Sequence, residues 1–364
     1  MPRHRTAAGE AGGRIEQVER HPARLPQGER AVLQPGGRRE GRERNPEHDL
    51  NLARIRGARD FDAGGGAAHK EPVSNPPLIF DRALWRKRLA RALRRENHCD
   101  FLAERVAEDL VFRLAPISRA FPRALDLGSP HPAIGRALAA SGRLVTRAAP
   151  HVSALGASTP ALVADEEALP FAPQSFDLVV SALSLQFAND LPGVFAQVRR
   201  ILAPDGLFVA ALLGGQTLAE LRLCLAQAQE EIEGGASPRV APFADLRDLG
   251  GLLQRAGLAL PVTDCDAFTV RYANAFDLMR DLRAMGATNV LVAGARRPLR
   301  RDVALRAAAI YGEKYSDADG RVRATFEIVW ASGWAPHESQ QKPLAPGSAL
   351  TPLSAVLGDK SGNA

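Results

Sequence analysis

Cysteine is scarce and scattered in this chain. The three cysteines among 364 residues, Cys99, Cys224 and Cys265, are odd in number, lie far apart and form no C-x-x-C or Cys/His ligand spacing. That excludes a disulfide framework and a clustered zinc site, and no metal is expected. Aromatic residues are few, 5% against 45% hydrophobic overall, so aliphatic and alanine side chains must build most of the core. No apolar run approaches the length of about 18 residues that spans a bilayer, and the N-terminus lacks the apolar stretch of a secretory signal. A soluble protein of the bacterial cytoplasm is the expectation. The formal charge of +6 is spread thinly and comes mostly from arginine. With no recognisable nucleic-acid module beside it, no nucleic-acid partner is expected.

Length allows one large domain with appendages, or two domains. Residues 1–72 are rich in Arg, Gly, Glu and Pro and carry Phe61 as their only aromatic. A segment so poor in large apolar residues cannot offset its ordering entropy, so it is expected to be disordered. Folded patterning begins abruptly near Val73, whose codon can serve as an alternative bacterial start, and a natural start there would leave 1–72 untranslated. Residues 73–113 read as N-terminal helices. The first, from Asp81 to Glu96, sets Leu84, Trp85, Leu89 and Leu93 among seven basic residues; it suits a solvated face on a packed helix, a membrane surface or an acidic partner.

Strands and helices then alternate. "RALDLG", "RLVTRAA", "PALVADE", "FDLVVSAL" and "GLFVAALLG" read as strands, the last entered through a Pro204-Asp205-Gly206 turn. Helices lie between them, including "DLPGVFAQVRRIL" with Asp190 as cap and Pro192 in its first turn. This alternation implies a doubly wound, Rossmann-like α/β domain over 114–349. Two late strands, "DAFTVRY" and "ATFEIVWASGW", are separated by a mostly helical stretch. They are expected to pair antiparallel at the sheet edge, with 273–323 as a helical lid above the carboxyl ends. Residues 350–364 read as a flexible tail.

The block "VADEEALPFAPQSFDLVVSALSLQFANDLPGVFAQVRRILAPDGLFVAALLGG" resembles class I S-adenosylmethionine-dependent methyltransferases with their seven-stranded sheet. "GGQTLAELR", "EGGASPRVAPFADLRDLGGLLQRAG" and "GWAPHESQQKPLAPGSA" resemble the respiratory complex I (NADH:ubiquinone oxidoreductase) assembly factor 5 family. The resemblance implies a donor site at the carboxyl ends of the first four strands, with contacts from Asp126, Gly128, Ser129, Asp165, Glu166 and Ser181. It also implies a complex I subunit as partner, met by peripheral association at the inner face of the membrane. The activity it implies is hydroxylation of an arginine near an iron-sulfur cluster rather than methyl transfer. Methylation of a small molecule or carrier-bound acid, and a chaperone role without chemistry, stay open beside it.

The loop "LDLGSPHPAIG" departs from the methyltransferase pattern, which has glycines at Gly128, Pro130 and Pro132. Proline fixes φ and offers no N–H to a ligand. The acid that ordinarily accepts from the ribose hydroxyls falls at Ala148, beside Arg147, which could favour a different anion. Asp165 remains for the adenine amino group. Lost bonds of this kind amount to about 2–5 kcal/mol, a donor affinity roughly thirty- to several-thousand-fold weaker. The same residues also read as an ordinary strand-to-helix connection, with Ser129 as cap or Pro132 as helix start.

Ser181, Ser184, Gln186 and Asn189 follow the fourth strand, where this fold brings polar groups near the reacting atom. Gln186 can orient a substrate but does not titrate. Glu220 and Arg222 start a helix beside the cleft and face different ways. His337 and Glu338 suit a surface or capping role. Arg296, Arg297, Arg300 and Arg301 would decorate the lid, as a solvated helix start or a contact for an acidic partner.

Overall fold

The computed structural model describes residues 19–20, 78–95, 99–156, 160–243, 245–294, 298–341 and 348. The chain divides into two units, Met1–His21 with Leu78–Ala364, and Pro22–Pro77; the second lies outside the described residues. So do the expected disordered or untranslated segment 1–72, apart from a two-residue strand, and the expected tail 350–364.

The strands are β1 (Glu19–Arg20), β2 (Arg123–Leu127), β3 (Leu144–Ala149), β4 (Ala161–Val163), β5 (Phe176–Ala182), β6 (Leu202–Leu213), β7 (Ala259–Tyr272) and β8 (Val322–Trp334). The helices are α1 (Arg82–Leu93), α2 (Phe101–Leu114), α3 (Ala133–Ala140), α4 (Leu191–Ile201), α5 (Ala219–Glu233), α6 (Leu246–Arg255), α7 (Ala275–Ala284) and α8 (Arg301–Tyr315). The sheet order is β1-β7-β8-β6-β5-β2-β3-β4. Strands β2 to β6 are parallel neighbours, and β8 is antiparallel to both β6 and β7. This is the Rossmann-like seven-stranded sheet of class I methyltransferases, with the two-residue β1 added at the β7 edge. The chain reverses direction across the sheet between β2 and β5, so their carboxyl ends open the crevice in which such sheets bind ligands.

Period-two alternation explains the two cores. Along β6, Leu207, Val209, Ala211 and Leu213 face one layer, while Phe208, Ala210 and Leu212 face the other. Asp190 caps α4 through the Gly193 N–H at 2.9 Å, with proline in the first turn as its sequence requires. The expected Pro204-Asp205-Gly206 turn is instead absorbed into β6, which starts at Leu202. Asp205 takes φ +59° there, and the β5 register slips between Phe176 and Leu178; a bulge has replaced the turn.

The two late strands pair antiparallel as expected. The inserted helices between them divide in role. Val303, Ala307, Ile310 and Tyr311 of α8 are buried in the sheet's own core, because they supply its outer layer beside α5. The α7 end meets α1 beside Leu183 and Gln186, just past the carboxyl end of β5. Phe80, Trp85, Leu89, Phe187 and Val290 form the apolar cluster that joins α1 to this end of the sheet. The basic helix is therefore packed through one face, while Lys87, Arg91, Arg94 and Arg95 stay exposed, as expected of a solvated face on a packed helix. Among the described residues, no helix is long and apolar enough to cross a membrane.

At the α1–α7 contact, Gly286 adopts φ +75°, and a Cβ there would lie 2.9 Å from the Leu89 Cα. Gly286→Ala is expected to destabilise the protein by about 1–3 kcal/mol, through positive φ and a backbone clash together. Urea denaturation reads this directly; an unchanged midpoint would mean that α1 does not dock as described.

Candidate functional site

The loop after β2 begins with Gly128 at φ +74°, a left-handed conformation that glycine adopts without strain. Its N–H donates to the Ala148 carbonyl at 2.6 Å. Ser129 does not cap the following helix: its hydroxyl accepts from the Ala182 N–H at 3.2 Å, across the crevice. Helix α3 starts after Pro132 with no side-chain cap, so of the two helix starts that the sequence allows, the proline start is the one used.

Directly beneath lies a buried ion pair. Asp126 and Arg147 are neighbours in the β2–β3 register, and their side chains, 0% and 1% exposed, bond to each other. Arg147 also donates to the Ser129 carbonyl at 2.8 Å and the Ala154 carbonyl at 3.0 Å. Arg147 is thus consumed internally and is no anchor for an external anion. The Asp126 carboxylate is turned inward against Arg147. Burial pushes its carboxyl above the usual range, and Arg147, the Ser129 hydroxyl and the Gly135 N–H only partly offset that.

A second charged cluster fills the crevice mouth. After β4 the chain presents Asp165, Glu166 and Glu167 in succession. Arg82, from the first turn of α1, reaches all three, at 2.8 Å from Asp165 Oδ1 and 2.9 Å from Glu167 Oε1, and in direct contact with Glu166. Arg86 adds a second bond to Asp165. Burial pulls the Asp165 carboxyl upward, but the Glu167 N–H, Arg82 and Arg86 prevail and hold it below the usual carboxylate range. Glu166 is 1% exposed and accepts from the Ser184 hydroxyl at 2.6 Å. Both side chains press on the loop: a Cβ on Gly128 would lie 2.7 Å from Ser184 Oγ, and closer still to Glu166 Oε1. Leu183, at φ +56°, turns the chain at the end of β5 so that Ser184 points here.

The remaining candidates divide. Asn189 clamps the entry to α1, accepting from the Ile79 and Phe80 N–H groups at 2.9 and 2.8 Å and donating to the Phe80 carbonyl at 3.1 Å. Glu220 is bound to the Thr325 N–H and hydroxyl, and Arg222 to the Gly215 and Thr217 carbonyls; both tie α5 to its surroundings. His337 Nδ1 meets Ser339 Oγ at 2.7 Å in a turn, which fits a capping role. Arg300 pairs with Asp302, while Arg296 and Arg297 lie outside the described residues.

Ser181 Oγ and Gln186 Oε1 are buried without a hydrogen-bond partner among the described residues. Gln186 faces a cavity of about 70 Å³ that Trp85, Leu89, His131 and Leu183 also line, with residues 284–287 closing it. Cys99 lies on the same wall, its thiol pushed up to about 12 by burial and by Asp281 and Asp100, which keeps it protonated and poorly nucleophilic. Sequence reasoning missed Arg82 entirely. The signal was the unbroken Asp165-Glu166-Glu167 run, since three adjacent acids with one fully buried require a cation.

Residues 131–210 match the family model described as a methyltransferase domain, which agrees with the strand order and places the chain in that class of fold. It is 42% identical over 280 residues to the human protein named arginine-hydroxylase NDUFAF5, mitochondrial, covering 74% of this chain and 81% of that one. The protein of the same name from Danio rerio is 39% identical over 285 residues, covering 74% and 87%. A malonyl-[acyl-carrier protein] O-methyltransferase from Halorhodospira halophila is 34% identical over 272 residues, covering 70% and 88%. The chain belongs to the NDUFAF5 family, a branch of the methyltransferase-fold enzymes.

Removing Arg147 leaves Asp126 buried and unpaired, a loss of about 3–5 kcal/mol. Arg147→Met also removes an influence that lowers the Asp126 pKa, so that pKa moves further above its unfolded value. The folded state then binds the extra proton, and stability rises as pH falls from neutral towards the ordinary carboxylate range. Denaturation midpoints of Arg147→Met across that window should show this slope relative to the wild type; equal slopes would contradict the buried pair.

Proposed function

We propose that this chain hydroxylates an arginine on a subunit of respiratory complex I during assembly, without S-adenosylmethionine as group donor. The observation that carries the second half is the filled crevice. In a donor-binding methyltransferase the ligand lies against the glycine loop; here Glu166 and Ser184 occupy that space beside Gly128. Arg82 neutralises the carboxylate, and Pro130 and Pro132 remove two backbone donors. Asp165, the residue expected at the adenine, is bound by Arg82 and Arg86. The residues present do not fit the cofactor.

The first half rests on family membership. Relatives named arginine-hydroxylase align over four-fifths or more of their own length, whereas the malonyl-carrier methyltransferase is less similar. On this reading the chain works in the bacterial cytoplasm, at the inner membrane face where a nascent complex I subunit is met.

Mass spectrometry of complex I subunits from a deletion strain tests the reading. An arginine that is one oxygen atom lighter than in the parent strain is expected, restored by the wild-type gene. Identical subunit masses with normal assembly would refute it, and a small-molecule methylation defect would favour the carrier-acid alternative.

A further inference from the structure

We propose that Asp100, Glu104 and His131 form a binding site for one divalent first-row metal ion, with His131 shared between it and the cavity that Gln186 lines. No metal-ligand spacing marks these residues in the sequence because they come from two separate segments. Asp100 stands at the N-cap of α2 and Glu104 one turn later, so both carboxylates project from the same side of the helix. The loop between β2 and α3 brings His131 opposite them. Its Nε2 lies 3.6 Å from Asp100 Oδ2 and its Nδ1 4.0 Å from Glu104 Oε1. One donor atom from each of the three falls within 4.8 Å of the others.

Metal bonds of roughly 2.0–2.2 Å would draw such donors in by about 1 Å. The two carboxylates can supply that movement, being 42% and 44% exposed. The guanidinium of Arg136, which bonds Glu104, is itself 58% exposed and can give way to an ion. An imidazole with two carboxylates suits ions of manganese, iron or zinc type, rather than the all-oxygen shells of calcium or magnesium. Three protein ligands leave positions open for water or substrate. Coordination at Nε2 places the ring proton on Nδ1, at the expense of the 3.3 Å bond from the Ala133 N–H.

The cavity supplies an independent indication. His131 and Gln186 line the same space. Gln186 is 6% exposed, yet its Oε1 has no partner among the described residues. A buried acceptor left unmet calls for a donor from a bound molecule, and a metal-bound water is one. The space exceeds the roughly 10–15 Å³ that a water requires. Ion binding here is independent of the hydroxylation proposed above.

Chelator-treated full-length protein titrated with Mn2+, followed by the loss of free-ion electron paramagnetic resonance signal, tests the site. One ion per chain is expected, with His131→Ala and Glu104→Gln each weakening uptake by roughly tenfold or more. Metal-free melting curves of both variants matching the wild type would assign that loss to the ligands. Uptake should also fall as pH is lowered, because the ligands must shed protons to bind. No saturable uptake up to millimolar Mn2+, or uptake indifferent to His131→Ala, overturns the site and leaves the three residues an ion-pair network.

Discussion

The Arg82 to Glu166 contact governs this molecule's site. A carboxylate held 1% exposed at the carboxyl ends of a parallel sheet is costly unless a cation meets it. The cation comes from α1, outside the sheet. Docking of α1 is therefore tied to the charge state of the crevice. Phe80, Trp85 and Leu89 supply the apolar attachment, Asn189 fixes the chain at its entry, and Arg82 closes three acids under it. Together these turn a ligand crevice into a neutralised, packed layer.

The Asp126 to Arg147 pair completes the closure one level deeper. It joins neighbouring strands, carries the Ser129 carbonyl, and so sets the path of the loop after Gly128. The loop is thus restrained by an internal guanidinium below and carries two prolines above. Beside it, Gln186 and His131 line a separate space between the N-terminal helices and the α7 end of the insertion.

Much of the fold was legible in the sequence. The parallel strands announced themselves by short apolar runs between helical periods, and Asp190 with Pro192 marked the start of α4, because these signals are local. The loss of glycine after Gly128 was legible for the same reason. What stayed hidden were contacts across the chain. Arg82 and Glu166 are 84 positions apart, and a seven-charge helix gives no hint which arginine turns inward. Asp126 and Arg147 become partners only once the β2–β3 register is known. Asn189 and Glu220 were expected in the cleft because of where they follow strands, yet backbone N–H groups claim both. The α8 half of the insertion read as lid because its helical pattern does not show that the sheet beneath lacks an outer layer.

The central claim is that internal charge pairing occupies the space where a methyl donor would lie. Isothermal calorimetry of S-adenosylmethionine with the wild type and with Glu166→Ala tests it most directly. No saturable heat in the micromolar range is expected for the wild type, with binding gained when the side chain is trimmed. Micromolar binding by the wild type, undiminished relative to Glu166→Ala, would contradict it.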